Sequence, residues 1–264
     1  MSTPDTSSAA QKKFAVLKAG TANRQARQRL GDFSGMFTTL LAVPGQQWDV
    51  HDVQHGHFPA NLSAYRGFAI TGSRASVNDD EPWIHQLLET IREIHARRIP
   101  LLGMCFGHQA VAKALGGAVV PSTNGWDVGV RTLTLTEQGR AQPALGRASE
   151  PLRIHMLHMD AVTRLPPGAV HLARSDHGEH EIFTLGNQTL CLQGHAEFDG
   201  DVLREAIDKL HGAGLLTRER ADASRATLAT PVSRDFWQGW LRAFFVQGGL
   251  APDAAAPLAA AARR

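Results

Sequence analysis

Cysteine is scarce in this 264-residue chain, which carries two, Cys105 and Cys191. So few exclude the disulfide framework that staples small secreted domains and fit a reducing compartment. No window approaches the roughly 18 apolar residues needed to cross a bilayer. The first residues show no basic stretch followed by a hydrophobic run and a small-residue cleavage site. A cytoplasmic protein without membrane contact is expected. Strong charge of one sign is also missing: 27 Lys and Arg against 25 Asp and Glu leave a formal +2. The basic residues are scattered, which argues against a nucleic-acid groove. Neither histidine-rich cluster carries a helical His-x-x-x-His or a Cys-x-x-Cys frame. The clusters His51-Asp52 with His55 and His57, and His177 with Glu179, His180 and Glu181, therefore read as polar loops, and no metal or cofactor is expected.

What is present is enough apolar residue, 43%, to bury the core of one α/β domain. Residues 1–12 read as a disordered leader, 13–248 as the folded domain and 249–264 as an Ala-rich flexible tail. Strands are expected at Phe14-Ala-Val-Leu-Lys, Asp49-Val-His-Asp-Val and Gly67-Phe-Ala-Ile-Thr-Gly, with a helix around Ser34 to Leu41. A further helix runs from Pro82 to Arg97, with Asp80 near its N-cap and an apolar stripe of Ile84, Leu87, Leu88, Ile91 and Ile94. Strand Pro100 to Met104 and helix Phe106 to Leu115 follow. This alternation predicts a mostly parallel sheet with helices on both faces. Strand-like pieces at Val128–Leu135, Leu152–Met156, Ala169–Ala173, Glu181–Leu185 and Thr189–Gln193 should extend that sheet with antiparallel strands. A helix from Asp199 to His211, a polar stretch to Thr230 and an aromatic helix over Phe236 to Val246 complete the domain. Trp237 and Trp240 on the last helix either seal a homodimer or pack onto the sheet.

One segment carries chemistry. Residues 99–109, Ile-Pro-Leu-Leu-Gly-Met-Cys-Phe-Gly-His-Gln, stop being apolar at Cys105, between Gly103 and Gly107, and then turn helical. A strand feeding a helix through a tight turn throws the turn side chain clear, and flanking glycines allow close backbone approach. At a helix N-terminus the thiol would also meet unpaired N–H groups that favour a thiolate. The competing reading is an inert buried cysteine. About ninety residues on, a second apolar strand ends in His195-Ala-Glu197. There His195 could serve Cys105 as base while Glu197 orients the imidazole.

Gly103-Met-Cys105-Phe-Gly107-His-Gln109 with the later His195-Ala-Glu197 resembles the class I glutamine amidotransferase domains. Gly67-Phe-Ala-Ile-Thr-Gly-Ser73, Ser76-Val-Asn-Asp-Asp-Glu-Pro-Trp83, Leu115-Gly-Gly117, Gly125-Trp-Asp-Val-Gly129 and His158-Met-Asp160 look like the stand-alone, GMP-synthetase-like branch that includes γ-glutamyl peptidases. The resemblance spans about residues 14–200, with one departure: Ala196 stands where a proline is usual. It implies a flavodoxin-like three-layer α/β sandwich and a Cys105-His195-Glu197 triad that cleaves γ-glutamyl amides through a thioester. It also implies an oxyanion hole of the Phe106 and Ser73 N–H groups, with Gly72 shaping the turn. Gln109 and the stretch Leu157-His158-Met159 would hold a small-molecule γ-glutamyl substrate. Two other roles stay open: a glutaminase subunit that passes ammonia to a separate synthetase, and a catalytically silent regulatory relative.

Overall fold

The computed structural model describes residues 13–21, 27–28, 31–148 and 151–251. The leader over 1–12 and the tail beyond Ala251 lie outside the described residues. Strand β1 (Lys13–Leu17), helix α1 (Phe33–Leu41), β2 (Trp48–His51) and β3 (Tyr65–Ile70) open the fold. Helix α2 (Pro82–Ala96), β4 (Leu101–Met104) and α3 (Phe106–Ala114) follow, and β12 (Thr189–Leu192) returns beside β4. These strands lie parallel in the order β2-β1-β3-β4-β12. That is the strand order of a flavodoxin-like sheet, in which ligands bind beyond the carboxyl ends of the strands.

Alternation along each strand divides the core. Phe14, Val16, Leu102, Met104, Leu190 and Leu192 face a layer made by α1 and α7 (Arg234–Gln247). Ala15, Leu17, Leu101 and Cys191 face α2 and α3. The apolar stripe foreseen on α2 is buried as a set. Asp80 does not cap that helix; it pairs with His85 at 2.8 Å, and Glu81 takes the cap position. Trp237 and Trp240 are buried against the sheet, so these rings form core rather than a surface for a second copy. Among the described residues no helix is long and apolar enough to cross a membrane.

The antiparallel strands divide differently from the expectation. Strands β11 (Ile182–Leu185), β10 (Ala169–Arg174) and β7 (Thr134–Leu135) do extend the sheet past β12. Two other pairs stand apart as ribbons: β5 (Ala118–Pro121) with β9 (Asp160–Arg164), and β6 (Asp127–Thr132) with β8 (Arg153–His158). The stretch 128–135 breaks at Leu133, whose side chain is core, so one anticipated strand becomes β6 and β7. Ribbon β6–β8 touches the main-sheet chain where the His195 N–H donates to the His155 carbonyl at 2.8 Å. This contact carries residues 157–159 to the carboxyl edge of the sheet.

Among the described residues the remaining α-helices are α4 (Glu137–Ala141), α5 (Gly200–Gly212) and α6 (Arg218–Thr227). Helix α6 occupies what reads in the sequence as a polar stretch. The Thr217 hydroxyl caps it by accepting from the Arg220 N–H, and it buries only Ala221 and Ser224. Small residues suffice because the helix lies close against β6, where a Cβ on Gly129 would meet the Thr227 hydroxyl oxygen at 2.5 Å.

Candidate active site

Cys105 is the junction between β4 and α3, with φ 51° and ψ −106°. A non-glycine residue at positive φ is strained, and such strain persists where the surroundings over-determine it. Here they do. The Cys105 N–H is tied to the Leu192 carbonyl at 2.9 Å, extending the β4–β12 ladder into the turn. A Cβ on Gly103 would stand 2.5 Å from the Gly107 carbonyl oxygen, and one on Gly107 would stand 2.6 Å from the Ile70 carbonyl oxygen. The two glycines let α3 spring from directly above the strands.

His195 follows the end of β12. Its Nδ1 lies 2.7 Å from Glu197 Oε1, and both side chains are almost wholly buried. The ring stacks on Phe198 at 4.0 Å between centroids with 7° between planes, which fixes its tilt. Among the described residues Nε2 has no hydrogen-bond partner of normal geometry, and the Cys105 sulfur is what it interacts with. Gly72 lies between base and thiol: a Cβ there would sit 3.2 Å from His195 Cε1 and 3.9 Å from Cys105 Sγ. Burial disfavours the imidazolium, but the Glu197 carboxylate and then the Cys105 sulfur outweigh it and hold His195 well above the usual histidine range. Residue 196, where alanine replaces the usual proline, is packed in the core with Ile154 and Met156.

The loop after β3 supplies Gly72 and Ser73. The Thr71 hydroxyl accepts from the Ala19 N–H and donates to the Gly72 carbonyl, each at 3.0 Å. Because a peptide is planar and trans, fixing that carbonyl also fixes the Ser73 N–H, which leaves the opposite side of the same unit. Phe106 opens α3, so its N–H is one of the donors a first helical turn leaves without an intrahelical acceptor. Its side chain turns into the core against Trp83. A cavity of about 550 Å³ collects Gly72, Ser73, Cys105, Gln109, Leu157, His158, Met159 and His195.

Gln109 and His158, expected from the sequence, are held by Gln193, His108, Asp127 and Glu181, which have no signal in the local sequence. Gln109 Nε2 donates to the Asp160 carbonyl at 2.8 Å and to Gln193 Oε1 at 3.1 Å. With both amide hydrogens engaged, its Oε1 is what a ligand can meet, an acceptor suited to an ammonium group. Gln193 interacts in turn with His108, whose Nε2 donates to the His180 carbonyl at 2.9 Å. His158 Nδ1 donates to the Asp160 carbonyl at 2.9 Å, while Nε2 stands 3.6 Å from Asp127 Oδ2. Burial opposes its charge, but Asp127 and Glu181 prevail and raise its proton affinity. Arg131 holds Asp127 from the other side at 2.8 Å. Glu181, from the second histidine-rich stretch, is buried and accepts from the Ser175 hydroxyl at 2.6 Å. In the first such stretch Asp52 pairs with Lys18 at 2.6 Å and with His55 at 2.9 Å.

The buried titratable groups make stability depend on acidity. Burial pushes His108 down to about 3 and His155 down to about 4, so each stays neutral when folded but takes a proton below pH 6.5 when unfolded. The stability each provides is complete above 6.5 and lost as pH falls. Burial pushes Glu181 up to about 7 from 4.5; its contribution is complete below 4.5 and lost as pH rises through 7. His51, His95 and His180, also held below the usual range by burial, add to the loss as pH falls, and Glu181 opposes it. Stability should therefore fall between pH 6.5 and 5. Glu181→Gln should steepen that fall by about 2 kcal/mol, read from urea midpoints at the two pH values. A flat profile in both proteins would refute this assignment.

The glutamine amidotransferase class-I family model matches residues 42–208, and the chain belongs to that family. It is 33% identical over 235 residues to γ-glutamyl peptidase 4 of Arabidopsis thaliana, an alignment spanning 87% of this chain and 94% of the relative. With γ-glutamyl peptidase 3 of the same plant it shares 31% identity over 233 residues, covering 86% and 94%. The crystal structure of a glutamine amidotransferase from Methylobacillus flagellatus superposes with a TM-score of 0.70, covering 94% of this chain and 99% of that one at 23% identity. That last likeness establishes the shared fold.

Proposed function

We propose that this protein is a cysteine hydrolase of γ-glutamyl amide bonds, with Cys105 as nucleophile, His195 as base and acid, and Glu197 as orienter. The observation that carries this reading is the buried His195–Glu197 pair at 2.7 Å, whose remaining imidazole nitrogen is left for the thiol at the β4–α3 junction. Its similarity to γ-glutamyl peptidases supplies the substrate class. Cys105 gives its proton to His195 and attacks the γ-carbonyl. The Phe106 and Ser73 N–H groups receive the oxyanion, each such donor contributing about 3–4 kcal/mol to barrier lowering. The C–N bond then breaks as His195 protonates the departing nitrogen. A γ-glutamyl thioester remains, and water deprotonated by His195 releases glutamate. Gln109 Oε1 accepts from the α-ammonium group, and residues 157–159 line the glutamyl end.

Glutamate release from free glutamine and from γ-glutamyl dipeptides, measured with purified protein alone, tests the proposal. Turnover of dipeptides without any added component is the expected result. Ammonia release from glutamine that begins only when a second protein is supplied would make the chain a glutaminase subunit instead.

A further inference from the structure

The cavity has two unlike ends, and the position of His195 says which is which. A departing nitrogen must take its proton from His195, so the group attached to that nitrogen lies on the His195 side of Cys105. The glutamyl part then lies with Gln109, His158 and Asp160. On the His195 side the wall is Phe198, then Val202, Ala206 and Leu210 at successive fourth positions along α5. Phe33 and Trp126 close it, and Leu215 at its margin is 55% exposed. Phe33 packs on Phe198 at 6.0 Å between ring centroids. Arg220 of α6 steadies the Trp126 segment by donating to the Asn124 and Trp126 carbonyls, both at 2.9 Å.

Phe198 and Val202 are buried, whereas Phe33, Trp126 and Leu210 are half-buried, and half-buried aromatic and branched side chains beside a reactive centre mark a surface that a ligand covers. A terminal carboxamide would leave this wall bare, since ammonia as leaving group reaches none of it. At about 550 Å³ the whole cavity is in the size range that encloses an entire small ligand. We propose that the Phe198–Leu210 wall is a leaving-group subsite for an apolar or aromatic amine. The substrate class is then γ-glutamyl conjugates whose amide nitrogen carries an aliphatic or aromatic side chain, and free glutamine is a poor substrate. This deepens the Cys105 reading and rests on it. Lys209 also lines the cavity, and its positive charge would favour a departing group that carries a carboxylate. Two sources share the apolar chemistry, a γ-glutamyl amino acid and a γ-glutamyl amine without a carboxylate.

The test compares kcat/KM for γ-Glu-Phe, γ-Glu-Gly, γ-glutamyl phenethylamide and glutamine. Every one of them forms the same thioester, so differences among them report only the acylation half in which the leaving group is still attached. The two aromatic substrates should exceed γ-Glu-Gly and glutamine by on the order of 10–100-fold, the range that burial of one apolar side chain commands. A lead of γ-Glu-Phe over the phenethylamide that shrinks in Lys209→Met identifies the amino-acid conjugate as the source; equal rates identify the amine. In Leu210→Asp and in the exposed Leu215→Asp, the Phe-to-Gly ratio should fall at least fivefold. Equal wild-type rates for Phe and Gly substrates, or an unchanged ratio in both variants, would overturn the subsite while leaving the hydrolase intact. Absence of turnover on all four would remove the Cys105 reading and the subsite with it.

Discussion

Cys105→Ala should reduce kcat/KM for every γ-glutamyl substrate by on the order of 10⁵-fold or more. Removing a nucleophile leaves only the oxyanion donors and substrate binding, because base and orienter have nothing to activate. The folded protein should survive the change, since the sulfur's hydrogen bond to the Leu157 carbonyl is a long contact of 3.8 Å. Glu197→Ala should lose less, by on the order of 10⁴-fold, because the thiol and imidazole remain. Steady-state glutamate release with circular dichroism as a folding control makes the comparison. Residual turnover within about a hundredfold of wild type in Cys105→Ala would eliminate the thioester route.

Gly103→Ala should injure stability and turnover together. Its new methyl would stand 2.5 Å from the Gly107 carbonyl oxygen, 2.7 Å from the carbonyl carbon and 3.0 Å from the His108 nitrogen. All three are backbone atoms of α3, so no side-chain rotation relieves the clash and the helix must lift from the sheet. Overpacking of this kind costs about 1–3 kcal/mol. The lift also displaces the Phe106 N–H relative to Ser73, and a misplacement of about 1 Å can lower turnover about a hundredfold. Thermal unfolding and kcat/KM on one preparation would show both losses. A variant as stable and as fast as wild type would mean that the junction tolerates what the geometry forbids.

Legibility in the sequence follows the range of each interaction. The Cys105 junction is readable because strand end, flanking glycines and helix start lie within eleven consecutive residues. His195 and Glu197 are readable because two-residue spacing keeps partners together. Phe198, which stacks on the imidazole, could have been found as the aromatic residue three past the base. By contrast, Asp127, Arg131, His158 and Glu181 meet only after ribbon β6–β8 forms, and nothing in their local pattern announces an ion network. Gln193 and His108 gain meaning through Gln109, across a parallel strand crossover. Helix α6 carries no periodic signal because the residues it buries are Ala221 and Ser224, too small to print an apolar stripe. Ribbon β6–β8 reads as part of the main sheet because alternation identifies a strand without naming its partner, and β5 and β9 lie outside the expected strands.

The φ of 51° at Cys105 sets the demands of heat resistance against those of reactivity. Glycine would adopt this conformation without the steric cost, on the order of 1–2 kcal/mol, that an L side chain bears there. A population of variants selected for thermal endurance alone would drift toward glycine at position 105 and away from the sulfur proposed as nucleophile. On that proposal a selection that reads product keeps the cysteine and leaves the molecule slightly less durable than its own backbone would permit.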